Sequence, residues 1–237
     1  MVVNKRAVIL AGGKGTRLKP YTMTLPKPLV PLGDKPILEH IILQLKSHGF
    51  THITITVNHM AEIIKAFFGD GSKWDIFIDY TMEEKALSTM GPLTLIHDLP
   101  EDFLVMNGDV LTDLNFSSLY SHHAKSNSIF TISSHRRMEK IDYGLLHHNE
   151  NMKLTKFEEK PSYEFLVSMG VYIVNKRVME YIPKDTFFGF DHLMYKLLEV
   201  NKPANVFEYE GFWLDIGRPS DYELATEIIK DPNLKWI

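Results

Sequence analysis

The chain has 237 residues, of which 44% are apolar and 24% charged, and its formal net charge is −4. This composition is typical of a globular protein and excludes a disordered chain, a coiled coil and a general polyanion binder. The absence of cysteine excludes a disulfide scaffold, a thiolate metal site and a cysteine nucleophile. No apolar stretch approaches the roughly 18 residues of a membrane span, and the N-terminus lacks signal-peptide features, so we expect a cytoplasmic protein.

The first half of the chain alternates strand-like and helix-like segments. Predicted strands cover 6–11, 53–58, 74–80 and 103–106, and predicted helices cover 36–48 and 62–68. Asp34 is the expected cap of the first helix, with Pro36 in its first turn and Gly49 after its end. This βαβ order predicts a mostly parallel sheet with helices on both faces.

The second half is richer in strands. Predicted strands cover 128–133, 144–148, 154–158 and 169–174, and predicted helices cover 177–181, 191–200 and 220–229. We therefore predict an α/β fold with a Rossmann-like, mixed but mostly parallel central sheet and a small antiparallel extension over the substrate. Because the chain has no internal repeat and no flexible linker, residues 1–237 are expected to form a single domain.

A glycine-rich loop, Gly12-Gly13-Lys14-Gly15, follows the first predicted strand and runs into Thr16 and Arg17. Such a loop brings backbone N–H groups close to a phosphate, helped by the partial positive charge of a following helix start. A tight turn needed only for packing is the alternative. Leu18 stands where a dinucleotide fingerprint needs its third glycine, and the Walker pattern is absent, which argues against a nicotinamide-dependent oxidoreductase.

Two cations near this loop are candidates for binding a leaving group that gains negative charge. Arg17 follows the glycines directly, and Lys27 stands between two prolines whose fixed φ angles make a stiff mount. A solvated loop lysine is the alternative for Lys27.

Two acidic residues are candidate metal ligands. Asp109 ends Asn107-Gly108-Asp109 after a predicted strand, at the edge where open α/β sheets place ligands, and Asp215 lies near the end of the chain in a segment of similar character. Two carboxylates, completed by phosphate oxygens and water, suit Mg²⁺, although spacing alone does not pair residues this far apart. We interpret the nearby Asp102 and Asp113 as a loop residue and a helix cap.

Segments 10–20 (LAGGKGTRLKP) and 25–40 (LPKPLVPLGDKPILEH) resemble the signature of the sugar-1-phosphate nucleotidylyltransferases, and later motifs follow in that family's order. The resemblance implies Mg²⁺-dependent transfer of a nucleotidyl group from a nucleoside triphosphate to a sugar 1-phosphate. It also implies that 1–125 mainly binds the nucleotide and 126–237 mainly the sugar phosphate. In this reading Asp109 and Asp215 hold the metal, and Arg17 and Lys27 contact phosphate.

The same resemblance implies a set of nucleotide-binding residues, namely Leu10, Ala11, Gly12, Gly13, Gly15, Thr16, Arg17, Lys27, Glu83, Ser88, Thr89 and Gly108. Segment 83–93 resembles the base-reading loop, although Ser88 and Met90 replace its usual glycine and alanine. Glu83 would accept hydrogen bonds from the N–H edge of guanine. An exposed acidic turn is the equal alternative for Glu83.

The residues implied for the sugar phosphate are Asn107, Tyr143, Gly144, Glu159, Lys160, Ser168 and Gly170. In this reading Lys160 holds the phosphate, Glu159 accepts hydrogen bonds from sugar hydroxyls, and Gly144 lets the sugar lie against the backbone. Ser168 stands where the family usually has asparagine, which leaves the identity of the sugar open.

The motifs are closest to the mannose-1-phosphate guanylyltransferase-like branch, which favours GTP with mannose 1-phosphate or a related sugar. The same reaction with dTTP, UTP or CTP and another sugar 1-phosphate is the first alternative. A non-catalytic regulatory subunit that binds an NDP-sugar is the second, although such a protein should have lost Arg17, Lys27, Asp109 or Asp215.

The expected partners are these small substrates, with no nucleic acid and no membrane. The eleven histidines lack metal-site spacing, and Trp74 and Phe77 are interpreted as core residues. No hexapeptide repeat of a C-terminal β-helix is visible in the 237 residues, so a homo-oligomer would form through the α/β body.

Overall fold

The computed structural model describes residues 5–230, which form strands, α-helices and short 3-10 turns. The strands are β1 (Lys5–Leu10), β2 (Pro31–Leu32), β3 (Lys35–Pro36), β4 (Phe50–Val57), β5 (Phe77–Met82), β6 (Asp102–Asn107), β7 (Val110–Thr112), β8 (Phe130–Lys140), β9 (Leu145–His148), β10 (Leu154–Glu158), β11 (Ser162–Asn175), β12 (Asn205–Glu208) and β13 (Trp213–Asp215). The α-helices are α1 (Ile37–Ser47), α2 (Ala61–Phe68), α3 (Phe116–Ser126), α4 (Phe190–Glu199) and α5 (Pro219–Ile228).

A seven-stranded mixed sheet forms the centre of the fold, in the order β12-β8-β11-β6-β1-β4-β5. Strands β6, β1, β4 and β5 are parallel, whereas β11 runs antiparallel to both of its neighbours. The predicted mixed α/β sheet is therefore confirmed. Because the parallel strands all end at one edge, the loops that follow them converge there.

The sheet is covered on both faces, as strand β1 illustrates. Ala7, Val8 and Ile9 are fully buried, and Val8 packs into a different hydrophobic cluster from its two neighbours, because successive side chains of a strand point to opposite faces. Buried apolar residues of α1, α2, α3 and α5 belong to one cluster, and those of α4 to the other. Helices on both faces, as predicted, explain the continuous apolar run of β1.

The predicted antiparallel extension is also confirmed. The outer halves of β8 and β11 pair from Lys140 opposite Ser162 to Ser134 opposite Ser168, and β9 and β10 form a separate two-stranded sheet. The β8–β11 register shifts between Ser168 and Tyr172, around Gly170, whose φ is +75°. This irregularity redirects β11 from the extension into the central sheet.

Several local predictions are wrong near α1 and β5. Asp34 does not cap α1, because Lys35 and Pro36 pair with β2 and leave Pro36 as the N-cap residue. Strand β5 starts at Phe77 rather than Trp74, which lies in a 3-10 turn. Trp74 is core, as expected, but the Phe77 side chain is 55% exposed, so its interpretation as core is wrong.

The predicted ranges do not include helix α3, although Asp113 is expected to cap a helix, and the roles of Asp113 and Asp102 differ from those expected. Asn115, not Asp113, caps α3 by accepting a hydrogen bond from the Ser118 N–H at 3.0 Å. Asp102 is the first residue of β6 rather than a loop residue. None of the helices in the described part of the chain has the length and apolarity that a membrane crossing requires.

Candidate active site

The glycine-rich loop is fixed at the converging strand ends. The Ala11 N–H donates to the Thr56 carbonyl at 3.0 Å, and the Gly108 N–H donates to the Leu10 carbonyl at 3.0 Å. Gly15 has φ +62°, and a Cβ there would lie 3.0 Å from Thr22 Cγ2, so this position requires glycine. Only a three-residue 3-10 turn, Thr16–Leu18, follows the loop, so the expected helix start is absent and side chains must supply the positive charge.

A cavity of about 180 Å³ opens beneath this loop, and we call it the loop cavity. Its walls combine the glycine-rich loop, the lysine segment and the ends of β6 and β13: Leu10, Ala11, Gly13, Gly15, Thr16, Arg17, Lys27, Pro28, Gly108, Asp109 and Gly217. The structure thus brings the predicted phosphate-contacting residues and one predicted metal ligand to a single place.

Lys27 and Arg17 differ in their surroundings within the loop cavity. Lys27 starts a 3-10 turn after Pro26, and its Nζ contacts Asp109 Oδ2; the two side chains are only 12% and 19% exposed. A solvated loop lysine is therefore excluded. The Arg17 side chain is exposed and makes no ion pair with any residue in 5–230. Arg17 is thus free to receive an anion.

Asp109 and Asp215 are brought together by strand pairing. Strand β13 runs antiparallel to β7 with Asp215 opposite Val110, and the Ile216 N–H donates to the Asp109 carbonyl at 3.0 Å. Burial and the negative charge of Asp109 raise the pKa of the Asp215 carboxyl, while Lys27 and Arg17 act in the opposite direction. The two carboxyls and the two cations therefore form one electrostatic unit.

The carboxylate pair fits a hard divalent cation. Oδ1 of Asp109 and Oδ1 of Asp215 are both buried, and neither has a hydrogen-bond partner among the described residues. Buried polar atoms are nearly always paired, so two unpaired carboxylate oxygens in one place point to a ligand. Mg²⁺ is typically held by one or two carboxylates together with substrate phosphates and water, which matches this donor set.

A second cavity, of about 360 Å³, adjoins the first and is called the Glu83 cavity. It is lined by Leu10, Gly12, Gly13, Arg17, Thr56, Glu83, Ala86, Ser88, Thr89, Asn107, Asp109 and Phe187. Glu83 is 6% exposed, so an exposed acidic turn is excluded. Its Oε2 accepts from the Leu87 N–H at 3.2 Å, and its Oε1 lies so close to Gly12 that a Cβ there would collide with it. Burial raises the pKa of Glu83.

Ser88, which stands where the resembled loop has glycine, is in the left-handed region with φ +66°. A non-glycine residue there costs about 1–2 kcal/mol, partly offset by the larger chain entropy of glycine in the unfolded state. We expect Ser88→Gly to raise the free energy of unfolding by about 0.5–1 kcal/mol and Tm by about 2 °C in thermal denaturation.

A matched serine in ordinary helical conformation provides the control for Ser88. Ser121→Gly in α3 should lower Tm, because glycine is unfavourable inside a helix. An unchanged or lower Tm for Ser88→Gly would contradict the strain at Ser88.

The predicted sugar-side residues fall into two groups. A Cβ on Gly170 would lie 2.6 Å from Asn107 Nδ2, so Gly170 packs directly against a residue of the Glu83 cavity. A Cβ on Gly144 would lie 3.3 Å from Glu159 Oε2 and closer to the Phe157 ring, which places Gly144 and Glu159 together in the extension.

Other sugar-side residues lie away from these cavities. Ser168 Oγ lies 3.2 Å from the Tyr172 hydroxyl. Tyr143, Glu159 and Lys160 are exposed and line neither the loop cavity nor the Glu83 cavity. The predicted nucleotide-binding residues therefore lie together around the loop cavity and the Glu83 cavity, whereas Tyr143, Gly144, Glu159 and Lys160 lie apart from them in the antiparallel extension.

A third cavity, of about 460 Å³, lies on the Asp215 side and contains residues that the sequence analysis missed. This arginine cavity includes Arg17, Asp215 and Gly217, and it is also lined by His135, Arg136, Arg137, Met138, Trp213, Leu214, Arg218, Asp221 and Leu224. The run of basic residues at 135–137 is the signal that could have indicated it. Thr56 and Phe187, also missed, carry no sequence signal of this kind.

Comparison with known proteins places this geometry in a family. A model described as nucleotidyl transferase matches residues 6–231. The chain is 33% identical to the UTP–glucose-1-phosphate uridylyltransferase of Synechocystis sp., over 97% of its length, and 35% identical to the mannose-1-phosphate guanyltransferase of Schizosaccharomyces pombe, over 93%. It spans 64% and 63%, respectively, of the length of these two relatives.

A solved structure is similar along its whole length. The crystal structure of HddC from Yersinia pseudotuberculosis complexed with GMP-PN matches with a TM-score of 0.71 and 27% identity, covering 95% of this chain and 100% of that one. Since the family match extends over nearly all described residues, the chain belongs to the nucleotidyl transferase family.

Proposed function

We propose that this protein transfers a nucleotidyl group from a nucleoside triphosphate to a sugar 1-phosphate and releases pyrophosphate. The observation that carries the proposal is the pair Asp109 and Asp215, each with an unpaired buried oxygen, beside Lys27 and Arg17 at the strand ends. Membership of the family and the two sugar-1-phosphate nucleotidyltransferase relatives support it.

In the proposed reaction an oxygen of the sugar phosphate attacks the α-phosphorus of the triphosphate. The new P–O bond forms as the bond to the pyrophosphate oxygen breaks, so no covalent intermediate with the protein is needed. The backbone of the glycine-rich loop holds the triphosphate, while Lys27 and Arg17 neutralise the charge that collects on the departing pyrophosphate. Catalysis then consists of positioning and charge neutralisation.

Mg²⁺ is the proposed metal, held by Asp109 and Asp215. When bound it withdraws electron density from phosphate oxygens and so stabilises their developing charge.

Asn107 and Gly170 are the proposed sugar-side residues next to the Glu83 cavity. We propose that the sugar site is completed from the extension by Tyr143, Gly144, Glu159, Lys160 and Ser168. The expected cytoplasmic location, single domain and homo-oligomer remain predictions.

Guanine is the proposed base, and mannose 1-phosphate or a related sugar 1-phosphate the proposed acceptor. The Glu83 carboxylate lines the cavity beside the loop, and Oε1 has acceptor capacity facing Gly12. A carboxylate pairs well with the two adjacent N–H donors of guanine. The guanyltransferase relative and the GMP-PN complex of HddC support this choice, whereas the uridylyltransferase relative supports UTP with glucose 1-phosphate.

The test is a pyrophosphate-release screen of five nucleotides, GTP, UTP, dTTP, CTP and ATP, each against a panel of sugar 1-phosphates with Mg²⁺. We expect turnover, greatest with GTP. If turnover is greatest with UTP, dTTP or CTP, the proposed base is wrong and the base of that nucleotide takes its place. If the protein binds an NDP-sugar but no substrate pair releases pyrophosphate, the protein is a non-catalytic regulatory subunit and the proposed activity is wrong.

Glu83→Gln tests the base assignment directly. We expect the ratio of kcat/KM for GTP to that for UTP to fall about 10- to 100-fold, because the amide replaces one acceptor with a donor and removes the charge. Pyrophosphate release with each nucleotide measures the ratio. An unchanged ratio would overturn the role of Glu83.

Stability provides the folding control for Glu83→Gln. Because burial raises the pKa of Glu83 in the folded protein, the wild type loses stability as the pH rises above the carboxyl's ordinary value of 4.5, and this loss persists at neutral pH. Glutamine has no charge to desolvate. The variant should therefore have a higher Tm than the wild type at pH 7, and the difference should vanish near pH 4.

A further inference from the structure

Thr56, near the end of β4, has a buried hydroxyl that the fold does not use. The residue is 1% exposed, and its Oγ1 has no hydrogen-bond partner among residues 5–230. A valine would fill the same position in a buried strand without leaving a polar atom unpaired. The stability of the folded protein therefore does not explain why position 56 has a hydroxyl.

Thr54, two positions earlier on the same strand, shows how the fold treats an equivalent hydroxyl. It is also 1% exposed and points to the same face, because side chains alternate along a strand. Its Oγ1 accepts hydrogen bonds from Arg6 Nε at 2.9 Å and from Arg6 Nη2 at 2.7 Å. The strand thus pairs the first threonine and leaves the second unpaired where the Glu83 cavity begins.

The position of Thr56 connects it with both sides of that cavity. Its carbonyl accepts from the Ala11 N–H at 3.0 Å, which places it at the start of the glycine-rich loop. It is paired with Thr81 on β5, two residues before Glu83, and it lines the same cavity as Glu83 and Gly12. Thr56, whose hydroxyl is unpaired, therefore lines the same cavity as the buried Glu83 carboxylate and the glycine-rich loop.

We propose that Thr56 is a base-contacting residue, whose hydroxyl forms a hydrogen bond with a polar ring atom of the bound nucleobase. A hydroxyl both donates and accepts, so it pairs with either kind of ring atom. The nucleotide supplies the partner that the free protein lacks. This inference rests on the proposed function, because the ligand is its nucleoside triphosphate.

The matched variants Thr56→Val and Thr54→Val test the proposal. We expect Thr56→Val to leave the Tm of the free protein unchanged or higher, because it removes an unpaired buried hydroxyl, and to raise the Kd for GTP about tenfold. Its Kd for inorganic tripolyphosphate, which lacks a base, should not change. Thr54→Val should lower Tm, because it removes the acceptor of the buried Arg6 Nε–H group and of one of the two hydrogen bonds of Arg6 Nη2, and should keep the wild-type Kd for GTP.

Each other outcome overturns the assignment. An unchanged Kd for GTP in Thr56→Val means that the hydroxyl does not contact the base. An equal loss of affinity for GTP and tripolyphosphate means that Thr56 only supports the loop. If the wild-type protein binds tripolyphosphate but none of the five nucleoside triphosphates, the proposed function is overturned, and this inference with it. If the wild type binds GTP and Thr56→Val binds GTP equally well, only the role of Thr56 is overturned.

Discussion

Asp109→Asn is expected to lower pyrophosphate release on the order of a thousand-fold or more while the protein stays folded. The substitution removes the charge from one of two carboxylates whose unpaired oxygens define the proposed metal position, and it breaks the contact between Asp109 and Lys27 Nζ. Steady-state pyrophosphate release with the best substrate pair measures the loss. Mn²⁺ binding to the free protein, followed by electron paramagnetic resonance, should also disappear.

Asp113→Asn is the matched control for Asp109→Asn. Asp113 is a nearby aspartate whose Oδ1 accepts a hydrogen bond from the Tyr209 hydroxyl, and it lines none of the three cavities. This variant should retain turnover and Mn²⁺ binding. If Asp109→Asn keeps near-normal turnover and an unchanged Tm, Asp109 does not hold a metal that the reaction needs, and the proposed mechanism is wrong.

Lys27→Met is expected to move activity and metal affinity in opposite directions. Turnover should fall about 100-fold, because one cation that neutralises phosphate charge is lost. Affinity of the free protein for Mn²⁺ should rise about tenfold, because Lys27 Nζ contacts the Asp109 carboxylate and its positive charge repels a cation bound there. Titration with Mn²⁺ in the absence of nucleotide measures the second effect independently of catalysis.

Lys46→Met provides the comparison for Lys27→Met. Lys46 pairs with Asp75 at 3.0 Å on the surface, where the carboxylate is 87% exposed, so its loss should change neither turnover nor Mn²⁺ affinity. If Lys27→Met instead weakens Mn²⁺ binding, the lysine supports the carboxylate rather than competing for it. An unchanged Mn²⁺ affinity would mean that Lys27 does not oppose metal binding at Asp109.

The missed α3 helix shows how local signals can hide an element. Its segment is rich in serine and histidine, which are weak helix formers, so composition did not favour a helix. Yet Asn115 is a good cap, and Phe116, Leu119 and His123 are buried at helical spacing. The cap and the helical spacing of the buried residues therefore do mark α3 in the sequence.

The extra length of β8 and β11 had no such signal. Their outer halves have no buried face: that of β8 is mainly polar, and the apolar run of β11, Phe165-Leu166-Val167, is half-exposed. Pairing between the two strands, rather than burial, keeps these segments extended. Sequence patterns that depend on a buried face therefore fail there.

By itself the sequence determined the order β1, α1, β4, α2, β5 and β6, the glycine-rich loop after β1 and the position of Asp109 after β6. These features depend on neighbouring residues, through apolar runs, turn glycines and fixed proline φ angles. Only the tertiary structure decided that Asp215 lies beside Asp109, that Glu83 is buried against Gly12 and that the Thr56 hydroxyl is unpaired. Each of these depends on contacts between segments far apart in the chain, which follow from strand pairing and packing rather than from local sequence.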